Sequence, residues 1–305
     1  MKYAAIDIGS NTVLLLVAKV EKGELQTLFE EQRIPRLGKG VDSSGNLSPD
    51  SMKKAIQALV DYKNIIENTY GETLQTIVTA TSAVRDANNR ERFLARIKDC
   101  TGFDVNLLSG DDEAQYTFAG ALSTLKNHNS NALIIDIGGG STELCFGNSR
   151  QIIDRHSFQM GSVRFTEKYL PANIPSYEQV QNCRYEITRL LNNRDLNIKS
   201  GTTLIGVAGT VTSLAHIIGG NKEYNSESLN GISLNINKVA EVINRFIERG
   251  SNYFLEEYPV VMQGRSDVFL AGLLILEEVM KHYGFEELIV STGGIRHGAI
   301  LKYFL

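Results

Sequence analysis

Leu133-Ile134-Ile135-Asp136-Ile137-Gly138-Gly139-Gly140-Ser141-Thr142-Glu143-Leu144 reads as a buried strand ending in an aspartate, a glycine-rich turn and a returning strand. The same arrangement opens the chain, as Ile6-Asp7-Ile8-Gly9-Ser10-Asn11-Thr12-Val13. In both copies the second strand runs into a polar turn, Lys22-Gly23 in one and Gly147-Asn148 in the other. A strand-turn-strand unit repeated once per half-chain predicts two similar α/β lobes facing each other.

The residues of the repeat suit an anion and a cation together. Gly9, Gly138, Gly139 and Gly140 allow backbone N–H groups to approach phosphate oxygens closely. Ser10, Asn11, Thr12, Ser141 and Thr142 add short hydrogen-bond donors. Asp7 and Asp136 are placed to hold a divalent cation against those oxygens, directly or through water. One such turn alone is compatible with an ordinary strand-to-hairpin connection. Two at equivalent places favour a phosphate clamp between lobes. Glu143 opens the returning strand, so it either turns back towards the same cation or is a surface strand glutamate. Two further glycine-rich strand ends, Val207-Ala208-Gly209-Thr210 and Ser291-Thr292-Gly293-Gly294, each precede a predicted helix whose N-terminus favours an anion.

The rest of the chain supplies a two-lobe frame. Its 305 residues correspond to about two domains at roughly 150 residues each. Antiparallel strands are expected over Tyr3–Ile8, Val13–Val20 and Leu25–Phe29, and Ser48-Pro49 marks a capped helix start. Further strands are predicted at Thr76–Ala80 and Val105–Leu108, and helices over Asn89–Cys100 and Asp112–Leu125. The polar run Lys126–Asn131 is the expected boundary, which assigns 1–125 with a last helix at about 295–305 to one lobe and 126–294 to the other. Beyond it, strands are predicted at Leu133–Ile137, Thr142–Phe146, Ile152–His156, Thr203–Val207 and Glu287–Val290. Helices are expected around Val180–Leu191, after Gly209, around Val239–Ile247 and over Asp267–His282, the last apolar nearly all round.

Composition removes several classes. A formal charge of −4, from 31 basic against 35 acidic residues, argues against a general nucleic-acid binder. Cys100, Cys145 and Cys183 are far apart and form no disulfide framework or zinc knuckle. The apolar run Val268–Leu276 is far short of the roughly 20 residues of a membrane span. Asp7 and Asn11 interrupt what would otherwise resemble a leader. A soluble, cytoplasmic protein is expected.

The motif order DIGSNT, ATSAVRDA, SGDDEA, IDIGGGSTEL, VAGTVTSL and STGGIRHG resembles the exopolyphosphatase/guanosine pentaphosphate phosphohydrolase family along essentially the whole chain. The resemblance implies two actin-like ATPase (ribonuclease H-like) lobes around a central phosphate-binding cleft. It implies hydrolysis of the terminal phosphoanhydride of inorganic polyphosphate or guanosine pentaphosphate, with Mg²⁺ or another divalent cation. Glu113, before the alanine of SGDDEA, would activate the attacking water, and Arg85 would face the phosphates. Asp136 and Glu143 match the magnesium-binding acids and Asp7 their companion on the other lobe. The phosphate loops would be Ser10–Thr12 and Gly138–Ser141.

The residues leave other readings of these positions open. Glu113 can also be read as a helix-start acid beside Asp111 and Asp112, and Arg85 as a loop arginine paired with Asp86. Asp112 stands where the family often has a second glutamate. His297 reads as a polar helix cap, and Arg90, Arg92, Arg96, Lys98, Arg164, Arg265 and Arg296 as charges that could lead a polyanion inward, most of them on solvated faces. Longer relatives carry a C-terminal histidine-aspartate region with no counterpart in this sequence, so the short two-lobe form is expected, with a homodimer left open. An ATP-dependent small-molecule kinase of the same superfamily and a non-catalytic polyphosphate or alarmone sensor remain as alternatives.

Overall fold

The computed structural model describes residues 1–71, 74–125, 130–220 and 226–304. The chain divides into two compact units, Met1–Ser123 with Gly293–Leu305, and Thr124–Thr292. Residues 126–129 of the expected boundary, with His128, lie outside the described residues.

The first unit is built on a five-stranded sheet of β1 (Lys2–Ile8), β2 (Val13–Glu21), β3 (Glu24–Arg33), β4 (Thr76–Ala80) and β5 (Val105–Leu107). Its order is β3-β2-β1-β4-β5, with the first three antiparallel and β1, β4 and β5 parallel. Both faces of β1 are covered. Ala4, Ile6 and Ile8 pack with Met52, Leu59 and Tyr62 of the helix Pro49–Tyr70 and with Phe93 and Ile97 of the helix Arg90–Thr101. On the other face, Tyr3 and Ala5 pack with Ile300 of the helix Ile295–Phe304. This double burial is why β1 reads as a continuous apolar run in place of an alternating one. The start of the long helix follows its local signal: Ser48 Oγ accepts from the Ser51 N–H at 3.1 Å, and Pro49 takes the first turn.

Two helices of this unit touch through their backbones. A Cβ on Gly120 of the helix Gly110–Ser123 would lie 2.1 Å from the Gly294 carbonyl oxygen, and one on Gly298 would lie 1.8 Å from that of Tyr116. Only glycine permits that approach.

The second unit carries β6 (Ala132–Ile137), β7 (Thr142–Gly147), β8 (Ile152–Phe158), β9 (Thr203–Val207), β10 (Ser233–Asn235) and β11 (Glu287–Val290), ordered β10-β11-β9-β6-β7-β8. Read from the other end, β8-β7-β6-β9-β11 repeats β3-β2-β1-β4-β5 with the same parallel and antiparallel pairings. Even the irregularity repeats. The β2–β3 ladder slips between Val17 and Ala18, and the β7–β8 ladder slips between Phe146 and Gly147, the equivalent positions of the second copy. The repeat seen in two short motifs therefore extends over five strands, with β10 as an addition at one edge.

Helices Tyr177–Asn193, Ile236–Glu257 and Phe269–Tyr283 enclose this sheet with a large apolar cluster. Burial pushes the Cys183 thiol in that cluster up to about 12, which leaves it an inert packing group. The helix Ile236–Glu257 is broken at Gly250 (φ 79°), where the Asn173 side-chain oxygen accepts from Ser251 Oγ and the Asn252 N–H. Short pieces at Val41–Ser44, Ser82–Asp86, Ser162–Tyr169, Ser226–Leu229, Ser233–Asn235 and Pro259–Met262 have no counterpart in the sequence reading. Each is too short to display a period of its own. Among the described residues, no helix is long and apolar enough to cross a membrane.

Candidate active site

In the first unit, parallel pairing brings the carboxyl ends of β1, β4 and β5 to one edge of the sheet. The pairing continues past the strands, since the Thr81 N–H donates to the Ile8 carbonyl at 3.2 Å and the Leu108 N–H to that of Ala80 at 2.9 Å. Gly9–Thr12, Thr81–Arg85 and Ser109–Glu113 are thereby neighbours, at the edge where open α/β sheets bind ligands. The Gly9 N–H closes the turn on the Thr12 carbonyl at 3.0 Å. Ser10 Oγ and Ser82 Oγ are 2.9 Å apart, which ties this turn to the start of the short helix Ser82–Asp86. Asp7 is buried on β1, and Thr79 Oγ1, on the adjoining β4, donates to its Oδ1 at 3.1 Å.

Arg85 and Glu113, expected to act separately, are bonded to each other. Arg85 Nη1 donates to Glu113 Oε2 at 2.5 Å and to the Leu108 carbonyl at 3.0 Å. Glu113 is 4% exposed, so the pair is largely withdrawn from water on the carboxylate side. Arg85 also reaches Asp86, at 3.7 Å from Nε, but more weakly. It lies on a short helix where the sequence suggested a loop. Glu113 is thus more than a helix-start acid. That role falls to Asp112, whose N–H donates to Ser109 Oγ at 3.1 Å while Ser109 donates back to Oδ2 at 2.7 Å.

The second unit repeats the turn. The Gly138 N–H closes on the Ser141 carbonyl at 3.0 Å, the same bond at the equivalent position of this copy. Here the carbonyls face inward. Gly138 O accepts from the Ser162 N–H, Gly139 O from the N–H groups of Val163 and Arg164, and Gly140 O from Arg164 Nε. Gly161 permits this contact, because a Cβ there would lie 2.4 Å from the Gly139 oxygen. The carbonyls of Gly138, Gly139 and Gly140 are thereby engaged within the unit, and the Gly138 N–H is taken by the turn itself.

Asp136 and Glu143 stand directly opposite each other on β6 and β7, both buried. Opposed residues of an antiparallel pair share a face, so the two carboxylates project together. Their counterparts in the first unit are Asp7 and Leu14, so at this register position the second unit has a paired acid and the first does not. Among the described residues, no three His, Cys, Asp or Glu side chains gather as a cation cage. Two buried carboxylates with backbone donors nearby fit Mg²⁺, which takes one or two protein carboxylates and fills its shell with substrate phosphate and water.

The other sequence candidates have mixed placements. Gly209 lies in the first turn of the helix Ala208–Gly219, where Arg265 Nη1 donates to its carbonyl at 3.3 Å and to Ser213 Oγ at 3.2 Å. Ala208, at the junction, holds a left-handed φ of 65°. Thr210 is buried against Gly272, where a Cβ would lie 2.5 Å from its Oγ1, so its hydroxyl is turned into the packing. Gly293 and Gly294 lead into the last helix, with the Gly294 oxygen accepting from the Gly298 N–H at 3.0 Å. Arg296 is structural, donating to the Leu15 carbonyl at 2.7 Å and pairing with Glu30 at 3.0 Å. His297 is no surface cap; it is buried, and desolvation, with a smaller effect of Arg296, lowers its pKa to about 3. The hydroxyls of Ser82, Thr79 and Ser157 escaped the sequence reading, because serine and threonine on a strand or short helix carry no signal of their own.

A duplicated strand order, with an acid and a phosphate-type turn at the same place in each copy, defines an α/β protein of the actin-like ATPase fold. The chain belongs to the Ppx/GppA phosphatase family, whose model matches residues 16–305. It is 32% identical over 308 residues to the bifunctional 3-dehydroquinate synthase/phosphatase of Fusobacterium nucleatum, spanning 98% of this chain but 46% of that protein. It is 30% identical over 316 residues to exopolyphosphatase 2 of Mycobacterium tuberculosis, over 99% of this chain and 98% of that one. A crystal structure of the Aquifex aeolicus member of the Ppx/GppA family matches with a TM-score of 0.83 at 30% identity, over 99% of this chain and 97% of that one.

Proposed function

We propose that this protein hydrolyses the terminal phosphoanhydride bond of a phosphate chain, with inorganic polyphosphate as first substrate and guanosine pentaphosphate as second. The observation that carries the reading is Glu113, a buried carboxylate bonded to Arg85 at 2.5 Å beside the Gly9–Thr12 turn. Membership of a phosphatase family and likeness to an exopolyphosphatase support it.

In the proposed reaction a water held on Glu113 attacks the terminal phosphorus in line with the bridging oxygen. The new P–O bond forms as the bridging P–O bond breaks. Glu113 takes the proton from the water, and the shortened chain leaves with the bridging oxygen and its electron pair. Arg85 orients Glu113, and its other N–H groups meet charge developing on the transferred oxygens. The N–H groups of Ser10–Thr12, Gly139–Ser141 and Gly209–Thr210, with Gly293 and Gly294, bind phosphate oxygens, while those of Gly9 and Gly138 close their own turns. Asp136 and Glu143 would hold Mg²⁺, with Asp7 as the companion acid of the first unit. The ion, when bound, neutralises phosphate charge. A reducing cytoplasm suits the unbridged thiols of Cys100, Cys145 and Cys183.

The test is phosphate release with Mg²⁺ from polyphosphate of several lengths, guanosine pentaphosphate and ATP, with no acceptor alcohol present. Release from polyphosphate or guanosine pentaphosphate that is lost in Glu113→Gln supports the reading. Strict dependence on an acceptor would replace it with a kinase, and binding without release with a sensor.

A further inference from the structure

Glu143 has an ordered neighbour on each side of its strand. Asp136 is opposite it on β6, and Ser157 is opposite it on β8. The three side chains form one row across the face of the sheet. Ser157 Oγ donates to Glu143 Oε1 at 2.6 Å. The terminal torsion of a glutamate is soft, so a buried carboxylate without such a bond would rotate over a wide range. A donor fixed to Oε1 sets the plane of the group and, with it, the direction of Oε2.

The other copy of the fold is an internal comparison. Its corresponding row is Gln32, Leu14 and Asp7. There Leu14 stands in place of the second acid, and the outer strand carries no serine at that position. The hydroxyl thus occurs in the copy with the paired carboxylates, at the register position that reaches the second of them.

We propose that Ser157 is a positioning residue for divalent-cation binding, orienting Glu143 so that one oxygen is presented beside Asp136. The inference rests on the assignment of Mg²⁺ to Asp136 and Glu143. Partners of this kind, bonded to a ligating group without touching the metal, change metal affinity by about ten- to a hundredfold.

The test is the rise in melting temperature on titrating the full chain with Mg²⁺, without substrate. Ser157→Ala is expected to raise the midpoint of that titration about tenfold, with little change in the metal-free melting temperature, and Ser157→Thr to restore it. The Mg²⁺ concentration for half-maximal phosphate release should move in parallel, with kcat recovered at saturating Mg²⁺. A lowered metal-free melting temperature with an unmoved midpoint would make Ser157 merely structural and overturn the proposal. The underlying assignment fails separately, and takes the proposal with it, if Glu143→Gln and Asp136→Asn leave the wild-type Mg²⁺ response intact.

Discussion

Arg85 Nη1 and Glu113 Oε2 are 2.5 Å apart across 28 residues of sequence, and the carboxylate is almost wholly buried. A carboxylate in that setting depends on its cation, because breaking a buried pair leaves an uncompensated charge. Arg85→Ala should therefore lose stability, by about 3 kcal/mol, as well as activity. Glu113→Gln should keep the fold and lower kcat roughly a hundredfold or more. The double variant should be little slower than the slower single, since the two act as a unit. Urea unfolding and steady-state kinetics on all three variants measure this.

The paired acids of the second unit predict an unequal effect of removing carboxylates. Glu143→Gln and Asp136→Asn should each reduce phosphate release at limiting Mg²⁺ by about a hundredfold, and excess Mg²⁺ should restore part of it. EDTA should abolish release by the wild type. Thr79→Val, which removes only the hydroxyl bonded to Asp7 at 3.1 Å, should have an effect within about tenfold. Release measured across a Mg²⁺ series separates these cases.

His297 predicts an acid limb of stability. Burial lowers its pKa from 6.5 to about 3, so the unfolded chain binds more protons than the folded one between those values. Its contribution is complete above pH 6.5 and is lost as the pH falls towards 3. Burial lowers the pKa of His216 as well, which acts in the same direction. His297→Gln should show a smaller fall in melting temperature than the wild type between about pH 7 and pH 5.

The contact of Gly298 with the Tyr116 carbonyl predicts an intolerant position. A methyl group there meets backbone at 1.8 Å, which no rotamer change relieves. Gly298→Ala should cost about 3 kcal/mol, the upper end for overpacking, in urea unfolding.

Ala208 predicts the opposite. At φ 65° a side chain is strained and glycine is not. Ala208→Gly should be neutral or stabilising by up to about 1 kcal/mol, and Ala208→Val clearly destabilising. Chemical denaturation of both variants tests the sign.

Much of the architecture is legible along the chain because it is encoded within short windows. The two Asp-Ile-Gly turns, the Ser48-Pro49 helix start and the apolar run of Phe269–Leu276 are local patterns, and each maps to the element expected. They determine two related α/β units, each with an acid before a phosphate-type turn. Strand order and register determine the rest. Only the parallel pairing of β1, β4 and β5 brings Arg85 to Glu113, and only the ladder of β6, β7 and β8 sets Asp136, Glu143 and Ser157 in a row. Packing decides the remainder, turning the Thr210 hydroxyl towards Gly272, committing Arg296 to Glu30 and burying His297. A turn follows from the backbone preferences of adjacent residues. A bond between side chains on different elements exists only when folding has fixed both backbones, and no short window of sequence contains that information.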